Sequence, residues 1–211
     1  METKQFEQAI VELRKGEKRK FVQTVDLIVN LQKFDVRKDA INSFIQLAHA
    51  SEKKICGFLT RKSPLLDVIL KPDFDQLKSE GEIKRLANSY DFFMASASLM
   101  PAVATKFGRI FGPMGKMPSP QAGVIAFDDD NAIQTMIDKM KKSVRVRTKD
   151  KSVKIAIGKE DMSDKELADN ALSAVNAIEN LLPRKRDNLK NVMVKFTMTK
   201  PVKLKVREDD K

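Results

Sequence analysis

Three glycines and three prolines fall within the thirteen residues Gly108-Arg-Ile-Phe-Gly-Pro-Met-Gly-Lys-Met-Pro-Ser-Pro120. Each proline stiffens the backbone and each glycine permits positive φ, so the composition predicts a loop of fixed shape. The chemistry such a loop could do is phosphate cradling. A P-loop needs GxxxxGK followed by Ser or Thr. Here Ile110 stands where the first glycine belongs and Met117 follows Lys116. A GxGxxG turn is missing as well, so the segment does not read as a nucleotide site.

Other reactive side chains are sparse. His49 is the single histidine, which excludes a multi-histidine metal site. The expected role of His49 is a structural hydrogen bond. Cys56 is the single cysteine and sits in an apolar run, so it reads as core. It permits no internal disulfide and fits a reducing compartment. Asp128, Asp129 and Asp130 read as a charged helix start, with Asp128 as the N-cap, because acids there suit the helix dipole. No catalytic constellation emerges; the expectation is a protein that is not an enzyme, with no cofactor and no metal.

What the chain does carry is cationic charge. Its 211 residues hold 40 Lys and Arg against 29 Asp and Glu, a net charge of +11. An acidic partner follows, nucleic acid or an anionic surface. The excess is spread along the chain with no basic tail, so a polyanion site must be assembled on folded surface. Three clusters qualify. Lys18, Arg19, Lys20, Phe21 and Thr24 lie at the start of an alternating run. Asn191, Thr197, Met198, Thr199 and Lys200 lie around the end of a late one. Lys203 and Lys205 alternate in the last. Lysine and arginine attract phosphate with a salt-dependent strength. Thr24, Thr197 and Asn191 are short donors and acceptors suited to ribose hydroxyls and base edges. Met198 offers a flexible apolar contact. Phe21 either stacks on a base or supports the core.

The elements that must position these residues are legible from periodicity. Phe6, Ile10 and Leu13 predict a helix over 3–14. FVQTVDLIVNL (21–31) alternates as a strand, with Phe21, Gln23, Val25, Leu27, Val29 and Leu31 facing inward, and FIQLA (44–48) is a second. From about residue 53 the pattern changes to short apolar runs (KKICGFL, LLDVIL, YDFFMASA) with helices at about 74–88, 99–106 and 129–141. That alternation predicts an α/β unit with a largely parallel sheet. The last of these helices has Ile133, Ile137 and Met140 as its buried stripe. SVRVRT (143–148) and SVKIAI (152–157) read as strands about a turn at Lys149-Asp150. A helix follows over 163–182 with Ser163 and Glu166 as a capping box. LPRKRDNLK is a basic loop, and VMVKF and VKLKV are closing strands. The ends of the chain are alike in kind, which suggests a unit inserted between them; two or three consecutive units would also fit the pattern. The N-terminus has no apolar signal core, and no stretch approaches the roughly 18 uncharged apolar residues of a membrane helix. The expectation is a soluble cytoplasmic protein.

FGPMGKMP (111–118) resembles the LGPRGKMP signature of the large-subunit ribosomal protein L-one family. KFVQTVDLIVNL, YDFFMASASLMP, SVRVRTKD, IGKEDMSDKELADNALSAVNAI and VMVKFTM resemble, in order, further family segments across nearly the whole chain. The wording is nearest the archaeal and eukaryotic branch. The resemblance implies two α/β domains: a split RNA-binding domain of residues 1–60 and 151–211, and an inserted Rossmann-like domain of 61–150. It implies binding of large-subunit ribosomal RNA at the mobile stalk, help in releasing deacylated exit-site tRNA, and, for some members, repression of their own messenger RNA. The protein would be monomeric off the ribosome. Lys20, Phe21 and Thr24 match the family's Lys, Phe and Thr, and Thr197-Met198 its Thr-Met pair. Thr199-Lys200 stands in place of the family's Gly-Pro, Asn191 in place of Ser, and Met114 in place of Arg. The rival readings are a nucleotide-using enzyme, which would need the glycine turn absent here, and a general DNA-binding protein.

Overall fold

A computed structural model describes residues 3–16, 19–75, 77, 79–120, 123–148 and 150–204. Lys18 and Lys205 of the basic clusters, and Lys149 of the expected turn, lie outside the described residues. The chain forms two compact units, one of residues 1–51 with 142–211 and the other of residues 52–141. The junctions fall before those read from sequence at residues 60 and 151. The first unit keeps the strand SVRVR because it pairs with a strand near residue 45.

In the first unit, β1 (Thr24–Leu31), β8 (Ser152–Lys159), β9 (Leu189–Phe196) and β10 (Val202–Leu204) form an antiparallel sheet in the order β10-β9-β1-β8. β1 alternates half-buried and buried along its whole length. Val25, Leu27, Val29 and Leu31 point into a core shared with Val153, Ile155, Val192, Val194 and Phe196. Two helices cover this face. α1 (Thr3–Arg14) contributes Phe6, Ile10 and Leu13; α5 (Asp164–Leu181) contributes Leu167, Ala171, Ala174, Val175 and Ile178. The expected capping box is present: Ser163 accepts the Glu166 N–H, and Glu166 accepts the Ser163 N–H. Gly158 lets α5 come close to the sheet, since a Cβ there would lie 2.6 Å from a Leu167 methyl. The core includes Ile45 and Val146 from a separate antiparallel pair, β2 (Asn42–Gln46) with β7 (Ser143–Arg147).

Asn170, fully buried on α5, accepts the His49 N–H at 2.7 Å and donates to the Ile157 carbonyl at 2.9 Å. The His49 ring reaches Asp169 at 3.4 Å, consistent with a structural role. Such satisfied polar groups fix where a loop lies without leaving a buried donor unpaired.

The second unit has a parallel sheet in the order β4-β3-β5-β6, from β3 (Ile55–Phe58), β4 (Asp67–Ile69), β5 (Phe92–Ser96) and β6 (Val124–Ile125). Both faces of this sheet are packed. α2 (Glu80–Ser89) and α3 (Met100–Met114) cover one with Ile83, Ala87, Val103, Phe107 and Phe111 against Cys56, Phe58 and Phe93. α4 (Asp130–Lys142) covers the other with Ile133, Ile137 and Met140 against Ile55 and Met94. Phe58 is the hub of the aromatic packing, with Phe74, Phe93, Phe107 and Phe111 at centroid distances of 5.6, 5.8, 5.1 and 6.1 Å.

Several expectations change. Gly108–Met114, read as loop, is the second half of α3. The buried side chains of Phe107, Ile110 and Phe111 outweigh the low helix propensity of Gly108 and Gly112, and Pro113, which cannot donate to the carbonyl four residues back, falls in the last turn, just before the helix stops. Of the three glycines in this segment, Gly115 alone uses the left-handed region (φ 71°), ending the helix. Asp128 does not cap α4. Its carboxylate instead accepts the backbone N–H and hydroxyl of Thr60, and α4 begins at Asp130. The helix expected at 74–88 is a 3₁₀ turn over Lys71–Asp75 and then α2.

Candidate RNA interface

Because β1 is half-buried at Thr24, Asp26, Ile28 and Asn30, the sheet of the first unit has a second face that its own helices leave open. Register places the side chains there in rows. Lys203, Met193, Ile28 and Lys154 form one; Lys195, Asp26 and Ala156 another; Asn191, Asn30 and Ser152 a third. Antiparallel sheets commonly leave one face to solvent in this way. Lys154 and Lys203 are exposed. Asp26, the acid among them, is pushed up from its ordinary carboxylate value by burial, with Lys195 beside it pulling the other way.

At one end of this face three loops meet. Gln23, 2% exposed, joins them: its amide donates to Glu160 Oε2 at 3.3 Å and its Oε1 accepts the Met198 N–H at 3.2 Å. Beside it Arg19, Lys20, Phe21, Val22, Glu160 and Asp161 line a shallow hollow of about 310 Å³. Phe21, Val22 and Met198 are 55, 59 and 59% exposed. Phe21 therefore does not face inward with the rest of its run. Strand pairing starts only at Thr24, which frees the preceding residues from the alternation. Three large apolar side chains on the surface beside cations suit contact with bases and riboses.

The threonines differ in availability. Thr197 Oγ1 accepts the Thr24 N–H and donates to the Thr24 carbonyl, both at 3.2 Å, so its proton is engaged and a lone pair remains. Thr199 Oγ1 accepts the Phe196 N–H at 3.0 Å and closes the turn after β9. That internal role gives the residue in the family's glycine position a structural reason. Lys200 is exposed next to it.

Asn191 is not beside Thr197. It lies six residues earlier on β9, on the order of 20 Å away at strand rise, and accepts a hydrogen bond from Asn30 at 2.7 Å. The cluster proposed around the end of a late strand thus divides between the two ends of one face. Lys203 lies between them, opposite Met193. Lys154, Lys195, Gln23 and Asn30 escaped the sequence reading. The first two were detectable as the polar positions of strands whose alternate residues are apolar; Gln23 carries no such signal, being a polar residue on the inward phase.

Lys116, the cation of the glycine-rich segment, donates to the carbonyls of Ala87 and Tyr90 at 2.6 and 2.7 Å. It satisfies the C-terminus of α2, the usual place for a cation at a helix end. Among the described residues no group of three or more His, Cys, Asp or Glu could hold a metal ion. Burial raises the Cys56 thiol to about 12, so it is no thiolate near neutrality.

Comparison with known proteins agrees with this architecture. The profile of the Ribosomal protein L1p/L10e family matches residues 13–200. Among curated proteins, the Large ribosomal subunit protein uL1 of Archaeoglobus fulgidus is 36% identical, with 95% of each chain covered. Those of Thermococcus kodakarensis and Cenarchaeum symbiosum are 38 and 34% identical, covering 88 and 92% of this chain and 89 and 93% of theirs. The signature at 111–118, the open sheet face and a match along nearly the whole length lead to one conclusion: the chain belongs to the ribosomal protein L1p/L10e family.

Proposed function

We propose that this protein is a structural component of the large ribosomal subunit, in the cytoplasm, and binds ribosomal RNA of the mobile stalk through the open face and adjoining loops of its first unit. The observation that carries the reading is the convergence of Thr24, Lys195, Lys203 and Asn191 on one open face, with Phe21 and Met198 exposed at its end. Lysines supply attraction to phosphate; the short polar groups and exposed apolar side chains supply discrimination between RNA shapes. The family relation supports two further roles: assisting release of deacylated tRNA from the exit site, and repressing translation of the protein's own message. Repression follows if that message carries a structure resembling the ribosomal site. A reporter bearing the leader of that message, unaffected by excess protein, would count against it.

Binding to a stalk-region ribosomal RNA fragment, beside a scrambled hairpin and duplex DNA at two salt concentrations, tests the central claim. Met198→Ala and Thr24→Val are the informative variants, since neither side chain holds a hydrogen bond among the described residues, whereas Thr197→Val also loosens β1 from β9. Selective binding weakened about tenfold by either variant is expected, comparable to the net value of one or two lost contacts. Equal, steeply salt-sensitive binding to all three nucleic acids would overturn the reading.

A further inference from the structure

The second unit contains a concavity of about 530 Å³ at the edge where its parallel strands begin. Lys53 and Lys54 precede β3, Leu65 and Leu66 precede β4, Tyr90 precedes β5, and Lys141 sits in the last turn of α4; all six line the hollow. This is the end of the sheet opposite the one where doubly wound folds ordinarily hold ligands. Three lysines and one carboxylate, Asp67, share the lining with apolar side chains, of which Leu65 is 43% exposed.

The acids nearby already have protein donors. Asp91 accepts the Lys54 backbone N–H at 2.9 Å, and Asp67 accepts the Tyr90 hydroxyl at 3.0 Å. The Lys53 ammonium lies 5.3 Å from the centre of the Phe92 ring. Burial pulls this lysine down to about 8, with Asp91 acting in the opposite sense. Burial strips hydration from a cation, and an anion arriving beside it offsets that loss.

The geometry points to a second RNA contact in this unit: one nucleotide of an RNA strand, its phosphate held by Lys53, Lys54 and Lys141 and its base or ribose against Leu65, Leu66 and Tyr90. A nucleotide supplies both halves of what the hollow offers, an anion and a flat apolar body, which an acidic peptide does not. The inference rests on the RNA-binding reading above and extends it to a unit whose basic residues that reading leaves unused.

The test is an NMR titration of the full chain with a single-stranded hexaribonucleotide, with uridine monophosphate and with a hexaglutamate peptide. The methyl groups of Leu65 and Leu66 and the ring of Tyr90 are expected to shift with the hexaribonucleotide, and with the monophosphate only at much higher concentration. A Lys54→Gln, Lys141→Gln double variant is expected to weaken these shifts about tenfold, as for two lost phosphate contacts, and to leave those of Met198 unchanged. Pocket shifts that are absent, that appear equally with hexaglutamate, or that occur at equal concentrations of monophosphate and strand overturn the inference. In the first of these cases, shifts at Met198 and Thr24 keep the reading of the sheet face standing. With the stalk-region RNA fragment in place of the hexaribonucleotide, pocket shifts without any at Met198 or Thr24 would instead overturn that reading and leave this one.

Discussion

The two units solve the same burial problem with opposite results. In the second, every residue of β3 is buried, because helices cover both faces of a parallel sheet. In the first, β1 is buried at every other residue, because both helices lie on one side. A sheet covered twice turns all its side chains into core and can offer ligands only its ends. A sheet covered once keeps a whole face for recognition. The polar and cationic residues of β1, β8, β9 and β10 occupy that face, and much of the hydrophobic load of the second unit is carried by the phenylalanine cluster around Phe58.

The comparison breaks most visibly at Phe58. Phe58→Ala removes the hub of the aromatic cluster and is expected to cost about 3–5 kcal/mol. Hydrogen exchange should show β3 and β5 losing protection while β1 and β9 retain theirs. Equal loss in both units would mean they do not unfold separately. Next comes Asn170→Ala in the first unit, which leaves the His49 N–H and the Ile157 carbonyl without their partner. A destabilisation of about 1–3 kcal/mol is expected in urea unfolding, with loss confined to β2, β8 and α5.

Ser163→Ala removes the α5 cap and should cost about 1 kcal/mol at neutral pH. Hydrogen bonds from the Ser163 hydroxyl and backbone hold the Glu166 carboxyl below its ordinary 4.5. A carboxylate with a lowered folded pKa contributes its stabilisation above the unfolded value and loses it as pH falls through the folded one. The difference between wild type and variant should therefore narrow in acid; a gap constant down to pH 2 would disprove the coupling. The smallest effect on stability is expected on the open face. Lys154→Gln with Lys195→Gln should change unfolding by less than about 0.5 kcal/mol. The same pair should lower the salt slope of RNA binding by about 0.7–0.9 per lysine that meets a phosphate. An unchanged slope would remove this face from the interface.

The parts legible in the sequence were those where one local signal decides. Alternation gave β1 from Thr24 onward, and Ser163 with Glu166 marked the start of α5. Where tertiary packing competes with local preference, sequence misled. Glycines 108 and 112 suggested a loop, yet Phe107, Ile110 and Phe111 draw that backbone into α3. Phe21 continues the inward phase on paper but precedes the first paired residue. Asn191 was grouped with Thr197 by proximity in sequence, although six residues of extended strand are a long distance. The role of Lys116 was not legible at all, because nothing in the sequence reveals that the end of α2 lies beneath it.

The central strand of the first unit has consequences for how the molecule is made. β1 is synthesised early, but its neighbours on both sides, β8 and β9, come from residues 152–159 and 189–196. During translation its backbone has no lateral partner in the finished fold until most of the chain has been made. The second unit, contiguous in sequence, can close beforehand. Contacts of such long range are slow to form, and here they carry a form of completion control: a chain interrupted before β9 lacks Asn191, Lys195 and Lys203 and with them half of the open face. Only a chain that extends through β10 can display the whole surface proposed for RNA, so shorter nascent chains would compete poorly for the site.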